Sequence, residues 1–153
     1  MKKMKKIRLP DYDYSTPNSY FITICTHHRQ PILAKVVEAE LCLTEAGQYV
    51  LTAWQSLLNY PCVELDKFVI MPDHVHGLIS LRPKPDVKAK TLSQLVGALK
   101  TQATSLIKQN CRIPVVWQKR FYEHVVRNEA DLERCREYIE QNPRRWLMKF
   151  GIE

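Results

Sequence analysis

His74-Val75-His76 carries the densest chemistry of any short run in this sequence. In a β-strand, residues i and i+2 point to the same face. The two imidazoles then stand side by side, close enough to share one divalent cation, while Val75 points the opposite way into apolar packing. The same spacing also suits two histidines that are each satisfied by a hydrogen bond, and H-x-H alone does not choose between these readings. Tyr138 is the second such residue. Leu132, Cys135, Ile139 and Trp146 define the apolar stripe of a helix. At about 100° per residue Tyr138 falls on the shoulder of that stripe, with Asn142 one turn further on and facing nearly the same way. A shoulder tyrosine either covers the core or faces the sheet with its hydroxyl reachable. Asn142 precedes Pro143, so it also suits a residue that closes the helix.

Positioning these groups requires a particular order of elements. Residues 20–27 are β-branched and aromatic and predict a strand. Residues 28–43 predict a loop. Val50, Leu51, Trp54, Leu57 and Leu58 recur at helical spacing over 45–58, with Thr44 as a cap. Residues 63–71 and 74–81 predict two strands joined at Pro72-Asp73, and the proline- and lysine-rich stretch 82–90 predicts a loop. Thr91 and Gln94 form a capping box for a helix over 91–109. Residues 115–126 predict a strand, and 129–142 or slightly beyond a helix capped by Asn128, with Pro143 near its end. The order β-α-β-β-α-β is that of an α+β, ferredoxin-like fold. It has a mainly antiparallel sheet with two helices on one face. The additional C-terminal helix, which carries Tyr138, then packs over the other face or an edge, and the histidines belong on the face it covers.

At 153 residues, 45% hydrophobic and 25% charged, the chain predicts one domain over 1–153, with 1–19 a basic irregular segment. No apolar run approaches the roughly 20 residues that span a bilayer, and the basic N-terminus lacks the apolar stretch of a signal peptide. The expectation is a cytoplasmic protein without a membrane partner. Five scattered cysteines without a C-x-x-C pair argue against a disulfide framework and a structural zinc site. A net charge of +7 favours a polyanionic partner. Basic residues gather at Lys2, Lys3, Lys5, Lys6 and Arg8, at Arg82, Lys84, Lys88 and Lys90, and at Arg144, Arg145 and Lys149. Lys100 and Lys108 on the second helix are further candidates for contacts to a DNA backbone, and Tyr12, Tyr14 and Tyr122 for stacking on unpaired bases. Glu123 and His124 alternate along their strand, so one of them faces the site, and a supporting role there falls to His124. Asp73 is expected to shape the hairpin turn.

The run Phe68-Val69-Ile70-Met71-Pro72-Asp73-His74-Val75-His76-Gly77 resembles the histidine–hydrophobe–histidine motif of the single-tyrosine HUH transposases. Trp117-Gln118, Phe121-Tyr122-Glu123-His124, Arg127, Tyr138-Ile139 and Asn142-Pro143 resemble their C-terminal half. Arg8-Leu9-Pro10-Asp11-Tyr12-Asp13-Tyr14 and Tyr20-Phe21-Ile22-Thr23-Ile24-Cys25-Thr26 are similar to the REP-associated branch, and the ordered set spans most of 8–146. The resemblance implies a metal-dependent enzyme that cuts and rejoins single-stranded DNA at hairpin-forming repetitive extragenic palindromes. Its intermediate is a 5′-phosphotyrosine with a free 3′ hydroxyl. Tyr138 falls on the nucleophile. His74 and His76 fall on ligands of Mg²⁺ or Mn²⁺, and Asn142 on the third ligand, with Gln141 a second candidate that points away from the tyrosine's face. The resemblance further implies a nucleoid-associated enzyme when on DNA, with a monomer acting in cis favoured over a dimer exchanging tyrosine helices. The alternative is a non-catalytic nucleic-acid-binding module on the same fold, although the glycine-aromatic pattern of RNA-recognition domains is absent. A different two-histidine metallohydrolase is a further alternative, but it would need ligands close by in sequence that this chain lacks.

Overall fold

A computed structural model describes residues 18–150. The elements run β1 (Asn18–Cys25), β2 (Ala34–Val37), β3 (Glu40–Leu43), α1 (Glu45–Ser56), β4 (Val63–Ile70), β5 (His74–Leu81), α2 (Leu92–Cys111), β6 (Tyr122–Val125) and α3 (Glu129–Phe150). Four strands form one sheet in the order β4-β5-β1-β6, and every neighbouring pair is antiparallel. The order β-α-β-β-α-β holds once the small β2–β3 hairpin is set aside as an insertion, so the α+β ferredoxin-like expectation stands. No helix among the described residues is long and apolar enough to cross a membrane.

Alternation along the strands sends their side chains to two different cores. Tyr20, Ile22 and Ile24 of β1 and Val75, Ile79 and Leu81 of β5 pack with Val50 and Trp54 of α1 and Leu95 and Leu99 of α2. Phe21 and Leu78 face the other way, against Cys135 and Ile139 of α3. Gly77 is required on the first face. A Cβ there would stand 2.7 Å from the Trp54 ring. Its absence lets Trp54 stack on Phe68 at 4.1 Å and 7°, a pairing worth about 0.5–1.5 kcal/mol beyond its buried area.

The N-terminal half of α3 is fastened by specific devices. Asn128 Oδ1 accepts the Asp131 amide at 2.8 Å, as expected of a cap, and the Asp131 carboxylate accepts the Arg127 amide at 3.1 Å. On β4 the register slips by one residue between Leu65 and Phe68. Such a bulge re-aims side chains, and here it turns Asp66 and Lys67 toward α3. Arg136 donates to Asp66 from Nε and from its terminal nitrogen, at 3.1 and 2.7 Å. Lys67 pairs with Glu140 at 3.2 Å.

Three expectations need correction. Residues 28–43 are not simply a loop, because 34–43 form the β2–β3 hairpin. Its two turn residues, Glu38 and Ala39, both have positive φ (50° and 65°), and neither is the Gly or Asn that marks such a turn in sequence. The strand expected over 115–126 shrinks to Tyr122–Val125, with a single isolated bridge between Trp117 and Thr26. Lys100 Nζ donates to the carbonyls of Gln118, Lys119 and Arg120 at 2.8, 3.3 and 3.4 Å, so a side chain satisfies oxygens that a strand partner would have taken. Finally, Pro143 does not end the last helix, which continues to Phe150. A single lost N–H donor is tolerated here because the final turns dock Trp146 against the sheet, 6.5 Å from the His74 ring.

Candidate functional site

β5 presents His74 and His76 on the α3 face, with ring centroids 4.6 Å apart, while Val75 is fully buried in the opposite core. Both rings are buried, His76 completely. Each is held through Nδ1. His74 Nδ1 donates to Asp73 Oδ1 at 2.7 Å, and Asp73 Oδ2 accepts from Arg29 Nε at 3.1 Å. His76 Nδ1 lies 2.8 Å from Thr23 Oγ1, its register partner on β1. A further hydrogen bond joins His76 to the Ile22 backbone, and Nε2 has no partner, so Nδ1 carries the proton. The Asp73 turn is itself fixed, since its carbonyl accepts from the Thr26 amide and from Thr26 Oγ1, both at 3.0 Å. Asp73 therefore shapes the turn, as expected, and also orients a ring.

An unpartnered Nε2 in a fully buried imidazole is costly unless something completes it. Burial, then the neighbouring His74 and Arg29, hold His76 far below its ordinary value of 6.5, at about 3. The ring is therefore neutral, as a metal ligand must be. A carboxylate on the far nitrogen of His74 fixes its tautomer in the manner of metal-binding histidines. Two imidazole nitrogens of this kind fit a divalent transition ion such as Mn²⁺, and leave open positions for further oxygen ligands.

α3 brings Tyr138 to this pair. Its ring stands edge-on to His76 at 5.2 Å and to Phe21 at 5.9 Å. Burial raises the phenol's pKa, while a hydrogen bond with Asn142 and the charge of Arg145 act to lower it. The Arg145 guanidinium lies 5.1 Å from the centre of the Tyr138 ring. A cavity of about 270 Å³ opens here, lined by Arg29, Asp73, His74, Tyr138, Asn142, Arg145, Trp146, Lys149 and Phe150. Asn142 is buried and lines it, whereas Gln141 is exposed and accepts from Arg145 at 3.1 Å.

Not every expected residue gathers here. Arg145 lines the cavity but Arg144 is exposed outside it. Lys100 lies on α2, across the sheet, engaged with the three carbonyls described above. Lys2, Lys3, Lys5, Lys6 and Arg8, with Tyr12 and Tyr14, lie outside the described residues. Arg82 to Lys90 follow the far end of β5, about 25 Å from His74 at strand rise. Tyr122 shares the α3 face, because its register partner Thr23 also pairs with His76. His124 faces α3 as well, but its Nε2 bonds Asp131 Oδ2 at 2.7 Å rather than supporting the histidine pair. With Cys135 these two place three ligand atoms within 4.8 Å of one another. Asp131 is already committed there to His124, Arg127 and Arg134, so this group reads as the fastening of α3. Arg29, Thr23 and the bond from Asp73 to His74 were invisible before the register was known.

Known proteins give this geometry a context. The family model described as Transposase IS200 like matches residues 15–142. An uncharacterized Haemophilus influenzae protein is 31% identical over 160 aligned positions, covering 93% of this chain and 89% of that protein. A REP-associated tyrosine transposase of Escherichia coli K12 is 31% identical over 80 positions, covering 52% of this chain and 44% of that one. The solved structure of a REP-associated tyrosine transposase bound to a REP hairpin superposes with a TM-score of 0.66 at 25% identity, over 93% of this chain and 74% of that chain.

Proposed function

The chain belongs to the IS200-like transposase family, in its REP-associated tyrosine branch, and we propose that Tyr138 is its nucleophile in cutting and rejoining single-stranded DNA beside hairpin-forming palindromes. The observation that carries this reading is the 5.2 Å approach of the Tyr138 ring to His76, a buried imidazole whose Nε2 has no partner. His74, His76 and Asn142 would hold the ion, Mn²⁺ or Mg²⁺. When bound, it supplies positive charge to a non-bridging phosphate oxygen and so lowers the barrier to attack by an anionic nucleophile.

The chain's own residues do the rest. Asp73 and Thr23 engage the two imidazoles through Nδ1, which leaves Nε2 of each ring as the nitrogen that would meet the ion. Asn142 holds the Tyr138 hydroxyl by a hydrogen bond, so a single helix sets both the attacking oxygen and a ligand. The Tyr138 Oη–P bond forms as the P–O3′ bond breaks. The phenol gives up its proton, and the departing O3′ gains one. One phosphodiester is exchanged for another, so rejoining by the free 3′ hydroxyl needs no nucleotide cofactor. Arg29, Arg145 and Lys149 supply positive charge for the strand's phosphates.

The arrangement supports action in cis by a monomer. Residues 126–128 alone join β6 to α3, and the helix is clamped to its own β4 by Asp66 and Arg136. The reading also takes hairpin DNA as the partner, because the REP-associated relative is bound to a REP hairpin. It is tested with hairpin oligonucleotides labelled at either end, incubated with Mn²⁺. Cleavage should leave an unmodified 3′ hydroxyl on one fragment and protein on the 5′ phosphate of the other. A protein that binds the hairpin but leaves both strands whole is a binding module instead.

A further inference from the structure

The last two turns of α3 extend the stripe that carries the nucleophile. Tyr138, Asn142, Trp146 and Phe150 follow one another at intervals of four residues, so they share a face of the helix. Trp146 and Phe150 are in contact, with ring centroids 4.6 Å apart, and Phe150 remains 50% exposed. Both line the cavity beside Tyr138. An exposed aromatic at the end of a helix that has already passed through a proline is not there for the core. The same cavity holds three cationic side chains, Arg29, Arg145 and Lys149, against one carboxylate, Asp73, which is bonded to Arg29 and His74. Its volume of about 270 Å³ is on the scale of one small bound group.

We propose that Trp146 and Phe150 form a stacking wall for one unpaired base next to the scissile phosphate, with Arg145 and Lys149 taking the adjoining backbone charge. Aromatic faces flanked by cations are the general means of holding single-stranded nucleic acid, and stacking tolerates any base. The wall would fix the strand's position relative to Tyr138 and exclude paired DNA from the site. This inference rests on the single-strand reading above.

The test compares binding of a ten-residue oligo-dT with binding of a ten-residue abasic oligomer carrying the same phosphates, both without added metal. The wild type should bind the base-bearing strand about tenfold more tightly or better. Phe150→Ala and Trp146→Ala should lose most of that preference, and Trp146→Phe should keep it. The signal is also local. Trp54 and Trp117 are only 4% and 8% exposed, so quenching of tryptophan fluorescence by oligo-dT should vanish in Trp146→Phe although binding persists. Equal binding of both oligomers by the wild type, no binding of either, or an unchanged preference in both alanine variants would overturn the proposal. Covalent attachment of DNA to the wild type is scored separately. Its success alongside a missing base preference sinks only the stacking wall, and its failure alongside an intact preference sinks only the catalytic reading.

Discussion

Tyr138 on α3 and His76 on β5 stand edge to face, ring centroids 5.2 Å apart, where the last helix packs over the histidine strand. Each is positioned by its own element. The sheet register sets His76 against Thr23, and the β4 bulge and the Asn128 cap set the rotation and depth of α3. The approach of the two rings therefore rests on fastenings that lie outside the cavity as well as on the residues within it.

Metal binding should stabilise the fold, because the ion binds the native arrangement and the unfolded chain has no such site. Mn²⁺ at 100 times its dissociation constant adds about 2.7 kcal/mol, a rise of about 5–10 °C in melting temperature for a chain of this size. Thermal unfolding followed by circular dichroism reads this directly. The double variant His74→Ala, His76→Ala should fold and show no rise. An equal rise in that variant, abolished instead by Cys135→Ala, would move the metal to His124, Asp131 and Cys135.

Asp73 should act through His74. Asp73→Ala removes the acceptor that fixes the ring's tautomer, and loss of such a partner costs about 10- to 100-fold in metal affinity. Calorimetric titration with Mn²⁺ should show the weakened binding, and cleavage should recover at high Mn²⁺. Unchanged affinity in Asp73→Ala would reduce the residue to its turn.

Asp66 should hold α3 in a pH-dependent way. The Arg136 hydrogen bonds hold its carboxyl below the ordinary value of 3.8. With the folded value below the unfolded one, the bridge contributes fully above about pH 4 and is lost as pH falls through the folded value. The pair is partly buried and bidentate, so Asp66→Asn should cost about 1 kcal/mol. Denaturant unfolding should show that deficit unchanged from pH 5 to 8 and shrinking below pH 4. A deficit that grows in acid would contradict the assignment.

The H-x-H strand, the shoulder position of Tyr138 and the order of elements were legible because each rests on a local period. The same is true of Asn142, which shares the tyrosine's helical face. What the sequence concealed depended on contacts between distant segments. Thr23 meets His76 only through the β1–β5 register, and Arg29 reaches Asp73 from a turn in which His28 and Arg29 both hold positive φ, at 55° and 53°. Lys100 reads as a DNA contact by charge alone, yet its amine is drawn onto three carbonyls of an irregular segment. Pro143 reads as a stop, and tertiary docking of Trp146 outweighs it. The β2–β3 hairpin escaped for a related reason, since a turn built from Glu38 and Ala39 carries none of the residues that announce one.

If Tyr138 attacks the phosphorus, the covalent adduct formed with DNA is carried by its hydroxyl. Wild-type protein incubated with Mn²⁺ and a hairpin bearing single-stranded flanks should yield a denaturant-resistant protein–DNA species. Digestion and mass spectrometry should place the nucleotide on Tyr138. Tyr138→Phe, which keeps the ring's packing against Phe21 and His76, should bind the same hairpin and give no adduct. An adduct mapped to Tyr122, which lies on the same face of the sheet, or one that persists in Tyr138→Phe, would show that Tyr138 is not the nucleophile.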